Sequence, residues 1–139
     1  DGTAVTNIIV TRTGRATGAV SATITFTDGT ATGCACGASS VNNDFHNVAF
    51  TVTLADGETS KVIPVELASL GGTNAIRIRN DVKVEGDESF TINLTNPTGG
   101  ATIGNGGSAS VKILDDDVAL DFSAANFSIR ENGEAVTAV

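Results

Sequence analysis

Val20-Ser21-Ala22-Thr23-Ile24-Thr25-Phe26-Thr27-Asp28-Gly29 decides how the chain folds. Val20, Ala22, Ile24 and Phe26 alternate with Ser21, Thr23, Thr25 and Thr27, so an extended backbone puts all four apolar side chains on one face. Asp28-Gly29 then closes the run with a turn dipeptide. The same arithmetic recurs along the chain. Phe50, Val52 and Leu54 alternate with Thr51 and Thr53. Ile63, Val65 and Leu67 make a further face, as do Phe90, Ile92 and Leu94, and Ala109, Val111 and Ile113. No segment sustains a 3.6-residue apolar period. Asp56-Gly57, Gly71-Gly72, Gly99-Gly100, Asn105-Gly106-Gly107 and Asn132-Gly133 separate the runs. Short strands between such turns predict an all-β antiparallel sandwich. Pro64 falls within a strand pattern and marks an edge or a bulge.

The composition narrows function. The 139 residues carry 8 basic and 16 acidic side chains, a formal net charge of -8. Phosphate neutralisation needs a basic face, which argues against nucleic acid and anionic membrane surfaces. No apolar run approaches the roughly 20 residues of a membrane span. Cations are the natural partners, although acidic surfaces also simply keep secreted proteins soluble. Cys34 and Cys36 lie in a Gly/Ala/Ser-rich stretch, 33–40, read as a surface loop holding either free thiols or a strained bridge. His46 is the only histidine, and any Ser-His-Asp or Cys-His chemistry would have to use it; beside an Asn-rich loop it reads as a surface residue. With no Tyr or Trp, stacking sites for sugars are scarce, and the six Phe read as core.

The acids are clustered. Asp81, Glu85, Asp87 and Glu88 share one short segment, and Asp115, Asp116 and Asp117 end another. Two like charges about 4 Å apart repel by roughly 4 kcal/mol at an effective dielectric near 20. A cation would offset that cost. Ca²⁺ suits a multi-carboxylate cage better than Mg²⁺, because it accepts 6–8 oxygens in flexible geometry. The alternative is a solvated turn and a solvated linker. The EF-hand spacing is absent.

Three blocks then occur in order: Asp28-Gly29-Thr30-Ala31 with Asp44-Phe45 downstream; Asp56-Gly57-Glu58-Thr59 through Val65; and Asn80-Asp81 with Glu85-Gly86-Asp87-Glu88-Ser89-Phe90. Ile113-Leu114-Asp115-Asp116-Asp117 closes the series. This pattern resembles the Calx-β domain, a calcium-binding repeat of sodium–calcium exchangers and large surface proteins. The resemblance implies an immunoglobulin-like Greek-key sandwich of about seven strands, with no enzymatic activity. It also implies Ca²⁺ among the loops at one end, with Asp44, Asp81, Glu85, Glu88, Asp115, Asp116 and Asp117 at the matching ligand positions. Asn80 stands where the family often has a second Asp, and Lys83 lies inside the acidic segment, so fewer ions are expected than in the fullest members.

Gly2-Thr3-Ala4-Val5-Thr6 echoes Gly133-Glu134-Ala135-Val136-Thr137. Residues 1–117 are therefore expected to be one Calx-β domain lacking its first strand. Residues 118–139 would begin the following repeat, anchored by Leu120, Phe122, Phe127 and Ile129. Glu131 occupies the family's remaining acidic position in that next repeat. The tail is expected to pair with a neighbouring repeat or to exchange strands between chains. The functional expectation is a calcium-binding repeat of an extracellular, secreted or cell-surface adhesion protein. The alternatives are a metal-free spacer or adhesive module, and a Ca²⁺ sensor attached to a membrane transporter.

Overall fold

A computed structural model describes residues 7–35, 43–67, 74–126 and 131, with the backbone alone at Leu67. Among them are ten strands and no helix. They are β1 (Ile8–Thr11), β2 (Val20–Thr27), β3 (Gly33–Cys34), β4 (Phe45–His46) and β5 (Phe50–Leu54). Then follow β6 (Ser60–Ile63), β7 (Val65–Leu67), β8 (Ile76–Ile78), β9 (Glu88–Thr98) and β10 (Ser108–Ile113). One sheet runs β10-β9-β2-β5, a second runs β3-β4-β8-β7, and β1 pairs with β6. This is the sandwich expected from the alternating runs. Its strand count exceeds seven because two-residue pairings count separately and because one run is divided.

Pro64 makes that division. It lacks an N–H to continue a ladder. The strand before it pairs antiparallel with β1, and the strand after it pairs parallel with β8. The Pro64 carbonyl still accepts the Ile76 N–H at 3.0 Å. Among the described residues the β3–β4 and β7–β8 pairs are parallel and the other pairs antiparallel.

The alternation in the opening stretch fixes the core. Val20 and Ile24 are buried, and Ala22 and Phe26 pack against them. Val52, Leu54, Ile63, Phe90 and Ile92 complete the interior with Ala31, Phe45 and Ile76. The rings of Phe45 and Phe90 stack with centroids 4.0 Å apart and planes 13° apart. Phe26 lies 5.9 Å from one and 6.2 Å from the other. Two expectations fail. Ala109 is exposed, because β10 is an edge strand among the described residues and meets little on its outer half. Phe122 is 89% exposed, because it lies beyond β10 on a segment outside both sheets.

Two local devices shape the sheets. Ser21 pairs with Thr98 but Thr23 pairs with Thr95, so β9 carries one extra residue there. Asn96 absorbs it at φ 46°, a bulge that increases local twist. At the other end Gly29 lets two backbones touch, since a Cβ there would strike the Ser89 carbonyl. The Ala31 N–H donates to that same carbonyl at 3.0 Å. This contact holds the turn after β2 against the start of β9, where the acidic residues lie. Gly71-Gly72, Asn132-Gly133, Cys36 and the echo at 2–6 and 133–137 lie outside the described residues.

Candidate metal centre

The strand directions gather the acids at one pole. Strand β2 ends there, β9 begins there, and β10 finishes there with Ile113 opposite Glu88. Glu88 continues the inward face of Phe90 and Ile92, so its carboxyl caps the core. Asp44 immediately precedes the buried Phe45, which fixes its place beside the same cap. Thr32 fixes its orientation: the Thr32 N–H and hydroxyl both donate to Asp44 Oδ2, at 2.6 and 3.1 Å. Carboxylate oxygens of Asp44, Glu85 and Glu88 lie within 4.8 Å of one another. Ca²⁺–oxygen distances of about 2.3–2.6 Å put opposite ligands of one ion about 4.6–5.2 Å apart, so this trio fits a single ion.

Asp115 joins this trio to a second acidic group. Its Oδ2 accepts the N–H groups of Glu85 and Gly86 at 2.9 and 2.8 Å, bracing the loop that presents Glu85. Its Oδ1 accepts the Asp117 N–H at 3.1 Å. Asp117 lies close enough to Asp115, Asp116 and Asp81 to be repelled by all three. Asp81 accepts the Lys83 N–H at 2.9 Å and so shapes the loop. Of the residues singled out in the sequence, Asp44, Glu85 and Glu88 come within reach of one ion, Asp115 braces the loop of Glu85, and Asp81 and Asp116 lie near Asp117. Glu131 is exposed and is not among the grouped carboxylates.

Lysines also reach the pole. Lys83 Nζ pairs with Glu85 Oε1. Lys112 Nζ pairs with Asp87 Oδ2 at 2.6 Å, and Asp87 Oδ1 accepts the Asp115 N–H at 3.3 Å. Asp87 is thus committed to clamping β10 rather than to the trio. Thr32 and Lys112 escaped the sequence reading, because each acts across strands far apart in the chain. His46 is half-buried rather than on the surface; burial, then the charges of Arg77 and Arg79, lower its pKa. Cys34 is disulfide-bonded.

The crowding shows in protonation. Burial, then the charge of Asp44 and a hydrogen bond between the two carboxyls, raise the Glu88 pKa. Partial burial, then Asp115, Asp116 and Asp81, raise that of Asp117. By contrast Asp87 is lowered by its Lys112 hydrogen bond and the Asp115 N–H, and Glu58 by the Ala55 N–H and Lys61. For a raised carboxyl the cost of ionisation is fully present above the folded pKa and disappears below the unfolded one. For a lowered carboxyl stability is present above the unfolded pKa and lost as pH falls through the folded one. The metal-free protein should therefore gain stability on acidification from neutral pH toward the ordinary carboxylate range, then lose it as Asp87 and Glu58 protonate. Urea unfolding in chelator across pH reads this directly, and a monotonic loss from pH 7 downward contradicts it.

The Calx-beta domain family matches residues 1–117. Among solved structures, the apo-form Calx CBD1 domain is 26% identical with a TM-score of 0.61, over 81% of this chain and 83% of that one. The calcium-binding domain CBD12 of CALX1.1 is also 26% identical, with a TM-score of 0.62 over 81% of this chain. CBD12 from CALX1.2 gives 26% and 0.62 over 83%. The match spans 38% and 39% of those two longer chains. No curated protein matches.

Proposed function

The chain belongs to the Calx-beta domain family, and from that premise we propose that it is a non-enzymatic Ca²⁺-binding repeat of a large extracellular or cell-surface protein. The observation that carries this reading is the approach of Asp44, Glu85 and Glu88 to within 4.8 Å at the pole where Asp115 also lies. A bound Ca²⁺ would supply positive charge and fixed coordination there. Asp44, Glu85 and Glu88 would hold one ion. Asp81, Asp115, Asp116 and Asp117 would hold any further one, and Glu131 would serve the following repeat. Thr32 and the Glu85–Gly86 amides keep two of these carboxylates in place before any ion arrives, which reduces the ordering cost of binding. Residues 118–139 would open the next repeat, so Ca²⁺ at Asp115–Asp117 would stiffen the joint. The disulfide at Cys34 and the acidic surface support an oxidising compartment. The likeness to Calx calcium-binding domains supports the variant in which the repeat senses Ca²⁺ for a transporter.

One observation favours a second reading, a metal-free structural spacer. Lys83 already places an ammonium on Glu85, a built-in counter-charge that competes with a divalent ion. Titration calorimetry decides between the two. The chain should bind Ca²⁺ with little response to equimolar Mg²⁺, and Lys83→Gln should tighten Ca²⁺ binding severalfold by removing the competitor. Absence of Ca²⁺ binding in both proteins would establish the spacer.

A further inference from the structure

Residues 28–33, the segment that follows β2, touch both strands that carry the half-buried carboxylates of the trio, Asp44 and Glu88. At one end a glycine seats the segment against the residue after Glu88. A Cβ at Gly29 would strike the Ser89 carbonyl, and the Ala31 N–H donates to that carbonyl at 3.0 Å. At the other end a glycine seats it against the residue after Asp44, since a Cβ at Gly33 would come within 2.6 Å of the Phe45 ring. Two threonines complete the attachments. Thr30 Oγ1 accepts the Ser89 N–H at 2.9 Å. The Thr32 hydroxyl and N–H hold the Asp44 carboxylate, and the Thr32 carbonyl accepts the Asp44 N–H at 2.9 Å. Asp28 closes the segment on itself, its Oδ1 accepting the Gly33 N–H at 3.0 Å.

We propose that residues 28–33 act as a calliper. They set the separation of Asp44 and Glu88 before an ion arrives, with Thr30 and Asp28 as positioning residues that make the site select Ca²⁺ over Mg²⁺. The inference rests on the calcium reading above. Opposite oxygens lie about 4.6–5.2 Å apart around Ca²⁺ and about 4.0–4.2 Å apart around Mg²⁺. Drawing the carboxylates together for the smaller ion would shift Ser89 and Phe45 against a segment that already touches both. The Phe45–Phe90 stack, with centroids 4.0 Å apart, resists the same movement from the core. A gap fixed in advance lowers the ordering cost for the ion that fits it, and gives no such help to the ion that does not.

Thr30 and Asp28 are exposed, so both can be changed without opening the core. Thr30→Val keeps the shape and removes the hydroxyl, Thr30→Ser restores it, and Asp28→Ala frees the Gly33 amide. Titration calorimetry with CaCl2 and with MgCl2 reads the affinity ratio of the two ions. The ratio should fall about tenfold in Thr30→Val and Asp28→Ala, through weaker Ca²⁺ binding, and stay at the wild-type value in Thr30→Ser. In chelator, with no ion present, the Ser89 amide should exchange faster with deuterium in Thr30→Val at unchanged far-ultraviolet circular dichroism. An unchanged ratio in Thr30→Val and Asp28→Ala would overturn the proposal. Equal losses of Ca²⁺ and Mg²⁺ affinity, the pattern of general loosening, would overturn it too. A wild-type chain that binds no Ca²⁺ would instead refute the calcium reading, and the calliper would fall with it.

Discussion

Glu88→Gln should move stability in opposite directions with and without calcium. In chelator the variant should melt a few degrees above the wild type. The reason is that Glu88 ionises against burial and against Asp44, so its charge opposes folding at neutral pH. In saturating Ca²⁺ the order should reverse, because the amide offers one neutral oxygen where the carboxylate offers charge and two oxygens. A ligand held only by the native state adds RT ln(1 + [L]/Kd), about 2.7 kcal/mol at a hundred times Kd, and the variant forfeits most of this. Asp44→Asn should likewise lose most of the stabilisation by saturating Ca²⁺, while Asn keeps an oxygen to accept from Thr32. Differential scanning calorimetry of the variants in both conditions reads the crossing. A variant that is less stable than wild type in both would mean that Glu88 contributes through packing, not through charge.

Phe45→Ala should produce the largest loss of stability of any single change considered. The ring is fully buried, stacks on Phe90 and touches the Phe26 group, so its removal leaves a cavity under the acidic pole. Such truncations cost about 3–5 kcal/mol, against a total of about 5–15 kcal/mol for a domain. The melting temperature should fall by about 10–20 °C. Calcium affinity should fall as well, because Asp44 is positioned by the residue that follows it. Phe122→Ala provides the contrast. At 89% exposure its change should stay within about 0.5 kcal/mol, as for other surface substitutions. Equal losses in the two variants would show that the Phe45–Phe90 stack is not the centre of the core.

That contrast also marks how far the sequence could be read. The alternation of Val20, Ala22, Ile24 and Phe26 was legible because β2 is central, with β5 on one side and β9 on the other. The same alternation misled at Ala109, where β10 is an edge, and the reading of Phe as core misled at Phe122, beyond the sheets. Periodicity reports which face a side chain takes, and says nothing about whether anything covers that face. Pro64 was legible as an interruption, since a missing N–H has one consequence wherever it occurs. The bulge at Asn96 was not, because it appears only when two strands are laid in register.

The candidate site divides in the same way. Glu85, Glu88 and Asp115–Asp117 drew attention as local charge density, which a single pass along the chain detects. Asp44 has no acidic neighbour, and only the family pattern singled it out. Thr32 and Lys112 gave no signal, because their roles depend on strands that meet from distant parts of the chain. Lys83 was visible as a cation inside an acidic run, and its pairing with Glu85 gave that visibility a meaning.

Thermal unfolding of the unmodified chain in millimolar Ca²⁺ and in chelator tests the central electrostatic claim, that carboxylates crowded at one pole are relieved by a divalent ion. The melting temperature should rise by several degrees with Ca²⁺ and much less with Mg²⁺ at the same ionic strength. Identical curves in Ca²⁺ and chelator would contradict it, and would leave the pole to protein counter-charges such as Lys83 and Lys112.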